Sequence, residues 1–410
     1  MKQAPLGIYL HIPFCVRKCL YCDFLSAPAD EQTKTEYVEA LLAEIRAQAP
    51  LYSDYVVKTV FFGGGTPSLL PGKELFRIME CLRQNFSFAP EEEAPEITME
   101  ANPGTLTADN LEWYRRAGIN RLSIGLQSAN DRELKALGRI HTWGEFLNSF
   151  RLAREAGFSN INVDLMSALP GQTPQAWMDT LKKTAALEPE HISAYSLIIE
   201  EGTPFYTFYG GERPAAGHPP LPDEETDRLM YSQTKAYLAE AGYGRYEISN
   251  YARPGFSCRH NLSYWKRTDY AGFGLGAASL RQNVRWNNTS DMKEYLSGSA
   301  AEGFATPVKQ AVQTLSAEEQ MEEFMFLGLR VMAGVSGTEF EKRFGKTMED
   351  VYGDVLRKHE EEGLLQIERK EDRKEAVAAE PAKGKTNIEK VMLTTKGVDV
   401  SNYVFADFLL

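Results

Sequence analysis

The sequence predicts an α/β protein: an incomplete (β/α)6 TIM-like barrel followed by a mostly helical, winged-helix-like C-terminal domain. Two observations carry this prediction. In the N-terminal half, six short apolar runs alternate with stretches of helical periodicity, the pattern of a parallel sheet with crossover helices. Toward the C-terminus, helical patterns precede a pair of short apolar runs, which read as helices followed by a hairpin.

Taken in order, the strands are expected at 7–11, 56–62, 96–101, 121–126, 160–165 and 191–198. Between the first two, Val38, Leu41, Leu42 and Ile45 fall on one helix face. Leu75, Ile78, Met79 and Leu82 repeat that spacing after the second. The Gly- and Pro-rich stretch 202–222 is a connector, and 223–241 is a helix. An irregular segment, 242–288, is dense in aromatics, Gly and Arg. Helical patterns then cover 316–329, 337–344 and 348–362, and a strand at 364–367 pairs with one at 391–394. The hairpin tip, 368–387, is charged and poor in large apolar side chains, and mobility is expected there. The domains are read as 1–215, 216–306 and 307–410.

Composition narrows the function. With 43% hydrophobic residues over 410 positions, a sizeable core is available. Charges of 45 − 57 give −12, which argues against a broad attraction to nucleic acid. No apolar run is long enough to predict a transmembrane helix, and the N-terminus lacks the apolar region of a signal peptide. Five cysteines, three of them clustered, do not read as a disulfide framework. Reduced thiols and a cytoplasmic location are expected.

The clustered cysteines are Cys15, Cys19 and Cys22, spaced C-x3-C-x2-C. Thiolates this close can converge on one centre, either an iron–sulfur cluster or zinc. A four-iron cluster needs a fourth ligand, and Cys81 and Cys258 are remote in sequence. One iron would then be left to something other than cysteine. Polar residues recur where strands end: Tyr9 and His11, Gly63–Pro67, Glu100 and Asn102, Gln127, and Asp164. In α/β barrels that rim builds the active site. The glycine triplet Gly63-Gly64-Gly65 permits either a close backbone approach to a ligand or a sharp strand-to-helix turn. His260, in His260-Asn261-Leu262-Ser263-Tyr264-Trp265, is an imidazole next to two large aromatics. It can ligate a porphyrin iron or sit in a buried aromatic turn. The Gly-rich bend 272–279 is expected to close over the barrel mouth.

The segment from Tyr9 to Cys15, the triplet with Tyr21 and Asp23, and the Gly63–Pro67 turn together resemble the radical S-adenosylmethionine (SAM) superfamily, specifically its HemN/HemW branch. The resemblance spans nearly the whole chain and is weakest in 368–387. It implies a 4Fe-4S cluster on Cys15, Cys19 and Cys22, with the open iron chelated by SAM. It implies that Gly64, Gly65 and Thr66 contact the SAM amino group, and that Glu100, Gln127, Arg139 and Asp164 supply further polar contacts. Arg139 would pair with the SAM carboxylate. Tyr21 would shield the cluster and stack on adenine, and Tyr9 would join the same pocket.

The motif His260–Trp265 resembles the HNxxYW marker of HemW-type heme chaperones, with His260 as the expected heme ligand. Phe24 stands where the coproporphyrinogen III oxidase relative carries a further cysteine, and only 14 residues precede Cys15. The expected function is therefore uptake of heme and its delivery to apo-hemoproteins such as respiratory enzymes. An electron donor is implied, and a homodimer is compatible. Two alternatives stay open, an oxygen-independent coproporphyrinogen III oxidase and a zinc-stabilised binding module.

Overall fold

In the computed structural model, which describes residues 3–211, 213–300, 309–370 and 388–410, the expected βα units form in sequence order. They are β1 (Ala4–Ile12), α1 (Glu31–Gln48), β2 (Tyr55–Gly64), α2 (Gly72–Asn85), β3 (Glu96–Ala101), α3 (Ala108–Arg116) and β4 (Arg121–Gln127). Then follow α4 (Asp131–Ala136), α5 (Trp143–Glu155), β5 (Ile161–Ser167), α6 (Pro174–Ala185), β6 (His191–Ser196), α7 (Pro204–Tyr209) and α8 (Glu224–Glu240). Local chemistry starts these helices where they start. Asp30, Thr107 and Thr173 accept from backbone N–H groups in the first turns of α1, α3 and α6. Thr142 and Glu145 close a capping box on α5. α2 buries Leu75, Ile78, Met79 and Leu82, the face read from the sequence.

β1 to β6 lie side by side in sequence order, all parallel. Every residue of β4 is buried, as a strand covered by helices on one face and a barrel interior on the other must be. The sheet is larger than expected. The segment 242–288, read as irregular, contains β7 (Gly244–Arg245), β8 (Asn250–Ala252), the short helix α9 (Arg259–Trp265), β9 (Tyr270–Phe273), β10 (Ala278–Arg281) and β11 (Val284–Asn288). α10 (Met292–Ala300) and β12 (Lys309–Thr314) follow. β9 pairs parallel to the free edge of β1, and β8 pairs antiparallel to β6. Among the described residues the sheet thus has twelve strands and is open, with β12 and β7 at its edges. These strands are only two to six residues long, and the Gly, Arg and Asn among them interrupt any apolar run.

The chain divides into two compact units. The first comprises 1–245, 249–260 and 268–313, so most of the expected connecting segment belongs to the sheet of this unit. The second comprises 246–248, 261–267 and 314–410. It contains α11 (Ala317–Gly328), β13 (Val335–Ser336), α12 (Gly337–Phe344), α13 (Met348–Glu361), β14 (Leu365–Arg369), β15 (Ile388–Leu393), α14 (Thr395–Asp399) and α15 (Ser401–Ala406). Its helices and a three-stranded antiparallel sheet enclose Met325, Leu329, Phe340, Val391 and Phe408. Arg267 and Glu323 form a buried ion pair there. The expected tip 368–387 begins inside β14, and its residues 371–387 lie outside the described residues.

The Gly-rich bend does not cap the barrel mouth. Its backbone is bound to α1 instead. Glu44, fully buried, accepts from Gly274 N–H at 2.8 Å, Asn288 Nδ2 at 2.7 Å, Tyr295 O–H at 2.7 Å and Gln48 Nε2 at 3.0 Å. Tyr37 O–H donates to the His11 carbonyl and accepts from Leu275 N–H. Gly274, at φ +98°, sits so close that a Cβ would lie 2.4 Å from the Tyr37 oxygen. All four groups facing Glu44 are donors. A Glu44→Gln chain loses one accepting oxygen among these donors, and its N–H2 group finds an acceptor only if a neighbour rotates, at a cost of about 1–3 kcal/mol. Urea unfolding of this variant is expected to show a lower midpoint with an unchanged slope.

A candidate cofactor site at the carboxyl ends of the strands

β1 and β2 run in register to Ile12 opposite Gly64. The loops that leave them are therefore neighbours, and backbone bonds lock them together. Gly65 N–H donates to the Ile12 carbonyl, Thr66 N–H to the Phe14 carbonyl, and Cys15 N–H to the Ala27 carbonyl. The glycines answer the question left by the sequence. At Gly65 a Cβ would meet the Phe14 oxygen at 2.6 Å. At Gly64, with φ +109°, it would meet the His11 ring at 2.7 Å. The close approach they permit is first to the cysteine loop itself. His11 holds that loop from below. Its Nε2 lies 2.8 Å from the Leu25 carbonyl and its Nδ1 3.0 Å from Tyr9 Oη. The tautomer that satisfies both donates to Leu25 and accepts from Tyr9.

A cavity of about 430 Å³ opens at these loops. Cys15, Cys19, Cys22, Tyr21, Gly64, Gly65, Thr66, Glu100, Gln127, Arg139 and Asp164 all line it. Eleven of the thirteen residues expected to hold the cluster, SAM or heme thus line one cavity. Tyr9 does not line the cavity. Its ring packs on Phe61 and under Gly63. His260 is not there either. It is 1% exposed, its Nδ1 is 2.8 Å from Thr59 Oγ1, its ring stacks on Phe61, and its N–H donates to Glu96, the first residue of β3. Burial, with the Arg121 charge nearby, pushes its imidazole down to about 3. This places it toward the amino ends of the strands, away from the cavity.

The polar residues are held in a network. Arg139 donates to the Gly125 carbonyl at 2.5 Å, to Asn102 Oδ1 at 2.8 Å and to Cys19 Sγ at 3.7 Å. Asn102 Nδ2 donates to Thr66 Oγ1 at 2.8 Å, and Thr66 Oγ1 lies 3.5 Å from Cys15 Sγ. Asp164 accepts from Ser123 Oγ and Asn162 Nδ2. Gln127 has φ +70°, rare for a residue with a Cβ, where the β4–β5 register shifts. Its Oε1 accepts from Tyr195 O–H at 3.0 Å. Such backbone is retained where the surroundings over-determine it, often at a site. Sequence reasoning assigned no role to Ser123, Asn162 or Tyr195, and it saw Asn102 only as a strand end. A polar residue inside an otherwise apolar buried strand, as in Arg121–Gln127, was the available signal for Ser123.

The donor set fits a cluster better than a single ion. The three thiols share the cavity, but among the described residues no three of His, Cys, Asp and Glu close on one ion, as a zinc site requires. Thiolates that each take a different iron of a cube need no such convergence. Cys81 and Cys258 are buried elsewhere, the former against the Leu42 carbonyl and the latter against Glu96. Neither lines the cavity, so a cluster held there would have three cysteine ligands and would need its fourth from elsewhere.

Glu100 accepts from Gly64 N–H at 3.2 Å. Burial first, and Asp164 second, push its carboxyl up to about 8 from an ordinary 4.5. A raised folded-state value means that this group's contribution to stability is complete below about 4.5 and is lost as pH rises through about 8. The cluster-free chain is expected to melt at progressively lower temperature over that range. Glu100→Gln should flatten the dependence; an equally steep loss in that variant would assign it to other groups.

Two family patterns match the sequence: the radical SAM superfamily over residues 9–184, and the HemN C-terminal domain over 315–371. The heme chaperone HemW of Bacillus subtilis is 38% identical over 365 residues, covering 89% of this chain and 93% of that protein. HemW of Lactococcus lactis is 34% identical, covering 100% and 99%. HemW of Escherichia coli is 43% identical, covering 68% and 70%. Among solved structures, coproporphyrinogen III oxidase (HemN) from Escherichia coli superposes with a TM-score of 0.80 at 25% identity, covering 100% of this chain and 91% of that one. With cysteine loop, glycine turn and polar rim assembled on one open sheet, and with relatives aligned from end to end, the chain belongs to the HemW family of the radical SAM superfamily.

Proposed function

We propose that this chain is a heme chaperone of the radical SAM type. It holds a 4Fe-4S cluster on Cys15, Cys19 and Cys22, takes SAM into the adjoining cavity, and carries heme to apo-hemoproteins. The observation that supports this most is the shared cavity of three cysteine thiols and four polar strand-end residues, in a chain that covers 93% of a heme chaperone at 38% identity. A reduced cluster held by these cysteines would supply single-electron chemistry to SAM bound beside it. The chain's own residues bind and orient. Glu100 and Asp164 are placed to accept from a diol or an ammonium. Tyr21 and Tyr195 close the wall, and Gln127 is held aimed inward by its backbone. Arg139 is already committed to Gly125, Asn102 and Cys19, so a SAM carboxylate would share it.

The cavity mouth suits an apolar, planar cargo with acidic edges. Val16, Phe24 and Ile140 are each 58% exposed and Ile198 68%. They border the cavity or the smaller recess beside it. Exposed large apolar side chains gathered at one opening mark a binding surface. Arg17 and Lys18, on the cysteine loop, add cations for propionates. His260 remains the proposed iron ligand only if heme uptake exposes it, because it is buried here. The acceptor hemoproteins, an electron donor, a homodimer and a cytoplasmic setting belong to the same proposal. No helix of the described residues is long and apolar enough to cross a membrane.

The likeness to coproporphyrinogen III oxidase over the whole chain favours one second reading, oxidative decarboxylation of coproporphyrinogen III. A single cluster-loaded sample separates the two. Titration with heme is expected to give a saturable Soret band at one heme per chain, followed by transfer to an apo-hemoprotein. Anaerobic incubation with coproporphyrinogen III, SAM and a reductant is expected to yield no protoporphyrinogen. Failure to bind heme stoichiometrically would remove the carrier reading, and decarboxylated product would establish the second.

A further inference from the structure

The contacts of Arg139, Asn102 and Thr66 have a direction, and the direction reaches the cysteine sulfurs. A guanidinium can only donate. Arg139 Nη2 donates to Asn102 Oδ1, which turns the amide so that its Nδ2 faces Thr66. That N–H2 group donates to Thr66 Oγ1, so the hydroxyl's own proton must point elsewhere. The neighbour in reach is Cys15 Sγ, at 3.5 Å. The same guanidinium donates through Nη1 to Cys19 Sγ at 3.7 Å. Backbone fixes both ends of the relay. Thr66 N–H is bonded to the Phe14 carbonyl, and Arg139 Nη2 to the Gly125 carbonyl. Gly125 leaves room for this, since a Cβ there would stand 3.2 Å from Arg139 Nη2.

We infer that Asn102 and Thr66 are positioning residues that, under Arg139, fix hydrogen-bond donors on two of the three cluster sulfurs and so set the reduction potential of the cluster. This rests on the cluster reading proposed above. A donor on a ligating sulfur stabilises the more negative, reduced cluster, and hydrogen bonds to the sulfurs are among the terms that set such potentials. A cluster that must deliver one electron to SAM needs that potential held within a window. Here one arginine governs it at both Cys15 and Cys19, from a strand end and two loops that the fold keeps in register.

The test is an anaerobic redox titration, followed by electron paramagnetic resonance, on the full chain reconstituted with iron and sulfide. Thr66→Val removes the hydroxyl and keeps the volume. It is expected to move the potential to a more negative value by about a tenfold change in the reduction equilibrium, about 59 mV for one electron. Thr66→Ser, which keeps the donor, should titrate like the parent. Resonance Raman spectra of the parent chain provide a second measurement that needs no variant. Its iron–thiolate stretches are expected to shift on exchange into D2O, and the shift should be smaller in Thr66→Val. An unchanged potential in a fully loaded Thr66→Val chain, or iron–thiolate modes insensitive to exchange in the parent, would overturn the inference while leaving the cluster in place. A parent chain that assembles no four-iron cluster would overturn this inference together with the reading it rests on.

Discussion

The parallel pairing of β1 with β2 is the constraint on which the site depends. It ends at Ile12 opposite Gly64, and that register puts the cysteine loop and the glycine turn within hydrogen-bond reach. Gly65 and Thr66 donate to the Ile12 and Phe14 carbonyls. No side chain could stand between them, because a Cβ at Gly65 would lie 2.6 Å from a backbone oxygen. A slip of one residue would turn every side chain of β1 to the other face. It would also carry Cys15 away from Thr66. The second support, from α1 through Tyr37 to the His11 carbonyl, and from the His11 ring to Leu25, acts on the same few residues from the opposite side.

The interior of the barrel explains the electrostatics. Glu100 and Asp164 project into it from β3 and β5, and each is surrounded by groups that are themselves partly buried. Asp164 is satisfied by Ser123 and Asn162. Glu100 has a single backbone donor, so burial and its neighbour lift its carboxyl to about 8. An acidic group left short of partners beside cysteine thiols is costly in the empty protein. It becomes useful when a positively charged cofactor enters. Perturbed carboxyls in a cavity are for that reason evidence about function.

The two histidines of the sequence motifs have different fates. His11 belongs to the cysteine loop's support, with both ring nitrogens used and burial lowering its pKa. His260 is stacked on Phe61 and bonded to Thr59. An imidazole beside Tyr264 and Trp265 looks in the sequence like a porphyrin seat. Its ring instead helps fill the barrel interior toward the amino ends of the strands. Sequence neighbours that are aromatic do not tell which way an imidazole points, because a helix of seven residues, Arg259–Trp265, places successive side chains on different sides.

Much of the architecture was legible in the sequence. Apolar runs alternating with helical periodicity gave the six βα units. Strand-end polarity gave Glu100, Gln127 and Asp164, and cysteine spacing gave the loop of Cys15, Cys19 and Cys22. The short strands β7–β11 were not legible, because the Gly, Arg and Asn among them interrupt any apolar run. Nor was the use of the glycine turn as a clamp on the cysteine loop, nor the relay from Arg139 through Asn102 to Thr66. These join residues 37 positions apart and 36 positions apart, and no local pattern records which distant partner a side chain will meet. Local chemistry in the chain decided what each segment is. Only the pairing of the strands decided what each side chain touches, because register and strand order, and not residue type, set the distances at which hydrogen bonds form.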